Sequence, residues 1–75
     1  MNISKSVFEL GEGRIDIVDV KAKPEDIDRL ILKNGFYRGY HMNKRHWLTI
    51  VLDGTVSLEE IAALLDRSYD LTLKL

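Results

Sequence analysis

Gly39-Tyr40-His41-Met42-Asn43-Lys44-Arg45-His46-Trp47, running without a break into Leu48-Thr49-Ile50-Val51-Leu52-Asp53-Gly54, is the stretch whose reading decides the fold. Its first half packs two histidines, two bases, an aromatic pair and an amide into one turn. Its second half is an apolar strand closed by Asp-Gly turn chemistry. Strand side chains alternate between faces, so Leu48, Ile50 and Leu52 share one face and Trp47, Thr49 and Val51 the other. Both faces are apolar enough for a central strand, or for a sheet whose second face meets a partner.

Downstream, Ser57-Leu58-Glu59-Glu60 has capping-box spacing, with Ser57 as N-cap. The helix it starts is expected from about Leu58 to about Tyr69. Leu58, Ile61, Ala62, Leu65 and Tyr69 form its apolar stripe, and Leu64 widens it. Leu71, Leu73 and Leu75 alternate with polar residues, so the tail reads equally as more helix toward Leu75 or as an extended strand.

Upstream, Pro24 suits a first helical turn, Glu25, Asp26 and Asp28 complement the positive end of the macrodipole, and Asn34-Gly35 supplies a stop. This predicts a helix over Pro24–Asn34 with Ile27, Leu30 and Ile31 inward. Ser6–Leu10 and Arg14–Lys21, joined by Gly11-Glu12-Gly13, read as a β-hairpin. Ile17 beside Val18 breaks the alternation, which implies a β-bulge there or a strand covered on both faces. Phe36–Tyr40 is an aromatic connector, extended in part. The sum is one α+β domain over residues 1–75, a small antiparallel sheet (hairpin, helix, strand, helix) with both helices on one side.

Composition narrows the function classes. Seventy-five residues hold one core. With no cysteine there is no disulfide, thiolate nucleophile or Cys-based zinc site. A small unstapled chain is often stabilised by self-association. No apolar run reaches transmembrane length and no signal-peptide core is present, so a cytoplasmic protein off the membrane is expected. The net charge of −1 argues against a generic nucleic-acid binder, yet it is unevenly spread. Lys33, Arg38, Lys44 and Arg45 give residues 33–52 a charge of +4 with no acid, while the remainder carries −5.

The series from Gly39 to Trp47, then Thr49, Leu52-Asp53-Gly54 and Asp66-Arg67-Ser68-Tyr69, resembles the MmcQ/YjbR family. Phe8-Glu9-Leu10 is similar to that family's middle strand, Val18-Asp19-Val20-Lys21 to the strand before its helix, and Pro24-Glu25 to the helix start. The resemblance implies a fold shaped like type III secretion chaperones, sometimes described as a double-wing DNA-binding arrangement, and no enzyme activity. Longer members begin with a helix and a further strand, so the chain is expected to be a short member or a fragment, with an exposed edge or apolar face that favours a homodimer or a partner chain.

The candidate nucleic-acid contacts are Lys33, Arg38, His41, Lys44, Arg45 and His46, with Tyr37 and Tyr40 as further donors or stacking faces. The plainer reading is a solvated turn whose bases pair with the acidic helices. His41 and His46 lack the partners of a metal set, and no nucleophile, base and orienter come together, so neither metal, cofactor nor catalysis is expected. Asn43 is expected to hold the turn, with Lys44 directed to a helix C-terminus. Trp47 is expected to anchor sheet to helix or a dimer, and Asp53, Gly54 and Tyr69 to be structural. DNA binding through the turn, with the Gly11–Gly13 tip as a second contact, is thus the leading expectation. A homodimeric protein-interaction module without nucleic acid is the alternative.

Overall fold

The computed structural model describes residues 1–73. In chain order these form β1 (Asn2–Ser4), a 3₁₀ turn (Lys5–Phe8), β2 (Arg14–Lys21), α1 (Pro24–Leu30), β3 (Phe36–Arg38), β4 (Trp47–Val51) and α2 (Leu58–Leu73). The four strands make one antiparallel sheet in the order β1-β2-β4-β3.

The sheet is covered on both faces. Even-numbered residues of β2 and β4 (Val20, Leu48, Ile50) pack with Ile27 and Leu30 of α1 and Ile61 and Leu64 of α2, so both helices lie on one side. Odd-numbered residues (Ile15, Ile17, Val51) join Ile3 in a second cluster on the opposite side. Phe8, Tyr37 and Tyr40 close that cluster, with the Phe8 and Tyr37 rings stacked 4.2 Å apart. Ile17 and Val18 are adjacent because the strand is buried on both faces. Pairing runs unbroken from Ile17↔Val51 to Lys21↔Trp47, so no bulge interrupts it.

The first strand differs from the sequence expectation. Residues 6–10 are not extended: Ser4 caps a 3₁₀ turn by accepting from the Ser6 N–H, and Glu9 takes a left-handed conformation. Pairing moves upstream, setting Ile3 opposite Ile15. A serine cap, Ser4, bonded to Ser6, and one isoleucine that buries 96% of its surface outweigh the alternation at Val7–Leu10. The Phe8–Leu10 segment is therefore a turn, not a strand, and it carries Phe8 across to Tyr37 on the far edge.

α1 stops at Leu30, earlier than Asn34, and Phe36–Arg38 pairs with β4 as a fourth strand. Ending the helix one turn early lets Phe36 enter the core opposite Ile50. The Ser57 cap forms, its Oγ accepting from the Glu60 N–H at 3.2 Å. Glu60's carboxylate does not complete the box; it pairs with Lys33 at 2.7 Å.

α2 continues through Leu73, which resolves the tail to that point in favour of helix; Lys74 and Leu75 lie outside the described residues. Its rotation departs from expectation. Ile61 and Leu64 are buried and Ser68 and Leu71 half-buried, whereas Leu58, Leu65 and Tyr69 are exposed. The Ser68 hydroxyl accepts the Lys21 N–H at 2.8 Å, and this bond to the outer edge of β2 fixes which side of the helix faces the sheet.

Leu48→Ala, at a fully buried position, is expected to cost about 2–5 kcal/mol. Leu58→Ala, on the exposed stripe, is expected to change stability by no more than about 0.5 kcal/mol. Urea unfolding midpoints of the two variants check the contrast.

Candidate nucleic-acid interface

The connection between β3 and β4 is held by its own residues. Asn43 Oδ1 accepts the Arg45 N–H at 2.9 Å, while the Asn43 carbonyl accepts the Trp47 N–H at 3.0 Å. These bonds fold the turn back on itself, as the short amide side chain permits. The Gly39 N–H donates to the Trp47 carbonyl at 3.0 Å. A Cβ on Gly39 would lie 2.9 Å from that of Trp47, so the position excludes any side chain. Lys44 Nζ donates to the Gly39 carbonyl at 2.8 Å, closing the loop across its mouth. The lysine thus binds a loop carbonyl and not a helix C-terminus.

Beneath the turn lies Thr49, fully buried, whose hydroxyl donates to Asp19 and accepts the Tyr40 N–H at 2.8 Å. One side chain thereby joins β2, β4 and the loop. Trp47 is half-buried, belongs to neither core cluster and has the parity of the face away from the helices. It backs onto Gly39 and does not join sheet to helix. Asp53 and Gly54 form the turn after β4, with the Thr55 N–H bonded to Asp53 Oδ1 at 2.9 Å. Hydrogen bonds from the Thr55 side chain and backbone hold the Asp53 carboxyl below its ordinary 3.8. Tyr69 is 65% exposed on α2 and does not support the site from the core.

The six sequence-derived contacts divide. Arg38, His41, Lys44, Arg45 and His46 lie together at one end of the sheet, all exposed. Lys33 lies beyond the other end of β3, bound to Glu60 and 5.4 Å from the centre of the Phe36 ring, and does not join them. Arg38 pairs with Asp28 at 3.0 Å, and the two line a shallow hollow with Pro24 and Arg45. Tyr37 and Tyr40 are committed to Phe8, and Tyr40 also meets the His41 ring edge-on at 4.1 Å, so they offer no free stacking platform. The Gly11–Gly13 tip is at the opposite end of β2, about 23 Å away along eight extended residues.

Pairing adds bases that the linear reading overlooked. Lys21 opposes Trp47, and the Ala22 N–H bonds to the His46 carbonyl at 3.0 Å, which brings Lys21 and Lys23 beside the turn. Arg67 reaches the same end from α2, where Lys21, Lys23 and Arg67 rim a cleft of about 290 Å³ floored by Ala22, Leu64 and Leu71. Asp26 and Asp70 also line it, and Asp26 is paired with Arg29 at 3.3 Å. The only sequence signal for this gathering is Lys21-Ala22-Lys23 at the end of a strand, which becomes informative once its partner strand is known. Among the described residues no group of three or more His, Asp or Glu side chains is arranged to hold a metal ion. Among the same described residues no helix is long and apolar enough to cross a membrane.

A family model described as YjbR matches residues 3–71. The uncharacterized protein YyaQ of Bacillus subtilis (strain 168) is 45% identical over 62 residues, 83% of this chain and 52% of that protein. A protein from Pseudomonas syringae is similar in two solved structures. Its crystal structure has a TM-score of 0.79 at 44% identity over 83% of this chain and 53% of that one; its solution NMR structure has 0.82 at 40% over 96% and 58%. The chain thus spans about half the length of the relatives it matches.

The lowered Asp53 value carries a sign. A carboxyl whose folded value is depressed stabilises above its unfolded value and loses that contribution as pH falls through the folded one. Asp53→Asn is therefore expected to be less stable than the parent at neutral pH, with the difference closing below 3.8. Thermal melts from pH 7 to pH 2 measure it.

Proposed function

Because this chain belongs to the YjbR family, we propose that it is a non-enzymatic binding domain whose basic sheet end, built from Lys21, Lys23, Arg38, Lys44, Arg45 and His46, contacts the phosphate backbone of DNA. The observation that supports the reading is that pairing brings two strand ends, Lys21-Ala22-Lys23 and Asn43–Trp47, to the same end of the sheet, where Lys23, Arg38, Lys44, Arg45 and His46 are exposed. Bases from an acidic chain collect there. The Arg38–Asp28 pair is exposed on both sides and worth at most about 1 kcal/mol, so a phosphate readily takes the carboxylate's place. Lys44 keeps its charge while bonded to a carbonyl, with donors left for a phosphate oxygen.

The same geometry sets the mode of binding. With Tyr37 and Tyr40 packed on Phe8, neither ring offers a free face for base stacking, and recognition rests on charge. Binding is then weak, independent of sequence and steep in salt. Four or five neutralised phosphates lower affinity by about 10²–10³-fold between 50 and 200 mM salt.

A second reading, a protein-interaction module acting as a homodimer or with a partner chain, is favoured by a separate observation, the exposed leucines of α2.

Lys23→Glu with Arg45→Glu, both exposed, is expected to abolish retention of a labelled duplex at low salt. Either single change is expected to lower the slope of log affinity against log salt by roughly 0.9. Lys33→Glu is expected to bind as the parent does. Equal retention by the parent and the double variant, or none by the parent at 20 mM salt, overturns the proposal.

A further inference from the structure

α2 carries two apolar stripes, and the sheet uses one. The inner stripe is Ile61, Leu64, Ser68 and Leu71. The other, Leu58, Ala62, Leu65, Tyr69 and Thr72, is exposed along its whole length, with Leu58 84%, Leu65 44% and Tyr69 65% accessible and Leu73 beside it at 66%. At 100° per residue the second stripe lies about 100° round the helix from the first. Thr72 is no polar interruption, since its hydroxyl is bonded back to the Tyr69 carbonyl at 2.8 Å.

Three features define what fits there. The spacing 58, 62, 65, 69, 72 alternates four and three, the seam of a left-handed coiled coil, so the matching shape is another α-helix at about 20°. The seam spans about 21 Å, the length of two heptads. Its outer border is acidic, because Glu59, Asp66 and Asp70 follow the stripe on the solvent side. The bases Arg29, Lys33 and Arg67 line the groove between α1 and α2, on the other side of the helix.

That border discriminates between occupants. In an antiparallel pairing of two copies, the acids of one helix run along the same acids of the other. A parallel pairing would need the opposite border, Ile61 and Ser68, which faces the core. A second copy is therefore a poor match, and a helix carrying Lys or Arg beside its apolar stripe is a good one.

We propose that the outer face of α2 is a docking site for an amphipathic helix of a partner protein, with apolar residues at heptad spacing against Leu58, Ala62, Leu65 and Tyr69 and basic residues against Glu59, Asp66 and Asp70. This names the partner class for the protein-interaction reading and rests on it. The site is separate from the basic sheet end.

The test uses two blocked 18-residue helical peptides with identical Leu and Ile seams, one flanked by Lys and Arg and the other by Glu, titrated into ¹⁵N-labelled protein. The basic peptide is expected to bind at least ~10-fold tighter than the acidic one and to shift amides of residues 58–72. Leu65→Glu is expected to weaken it at least ~10-fold while leaving the fold and duplex retention intact. Equal binding of both peptides, binding unaffected by Leu65→Glu, or binding of neither overturns the proposal. Sedimentation of the protein alone separates the failures: a dimer broken by Leu65→Glu replaces the helical partner with a second copy and keeps the interaction reading, whereas a monomer that binds neither peptide removes both.

Discussion

The structure depends on a hydroxyl bonded inside the sheet. Thr49 lies in the middle of β4, between β2 and β3, with no exposed surface. Its Oγ1 has to be satisfied there, because an unpaired buried polar group costs about 1–3 kcal/mol. Asp19 on β2 and the Tyr40 N–H in the loop satisfy it together. That bond ties the loop to the middle of the sheet and holds the Asp19 carboxylate against β4. Valine in this position would fill the volume but leave the Tyr40 N–H without its acceptor and the aspartate without its donor.

Most of the conspicuous residues in the Gly39–Trp47 loop are occupied in the same way. Asn43 folds the turn, Lys44 closes it, Gly39 admits Trp47, and Tyr40 is spent on Phe8 and His41. What remains outward is charge on a rigid frame. A rigid cationic surface suits contact with phosphates, which make few geometric demands, better than readout of bases, which makes many. The loop is pinned at both ends, and the pairing of β2 with β4 sets Lys44 and Arg45 at the same end of the sheet as Lys21 and Lys23.

α2 shows what happens when one helix has more apolar surface than a four-stranded sheet can cover. Its buried and exposed stripes together occupy about half of its circumference. Lys21's outward N–H then selects between them, because Ser68 is the residue on α2 able to accept it while presenting Ile61 and Leu64 to the core. A backbone hydrogen bond at a sheet edge thereby decides which leucines are left to the solvent.

The sequence by itself determined what is local. The Pro24 start, the Ser57 cap, the Asp53-Gly54 turn, Asn43 as the holder of its loop and the two-faced β4 were legible in neighbouring residues, as was the family. Three features were not legible there because they depend on residues distant along the chain. The first strand moved to Ile3 because its partner, Ile15, is twelve positions away and outweighs a local alternation. Lys21 and Lys23 joined the basic turn because a strand pairing brings residues some 25 positions apart into register. The stripe chosen by α2 was settled by a bond spanning 47 residues. Helical periodicity shows that apolar faces exist, but which of them is buried depends on what lies opposite, and only the tertiary structure supplies that.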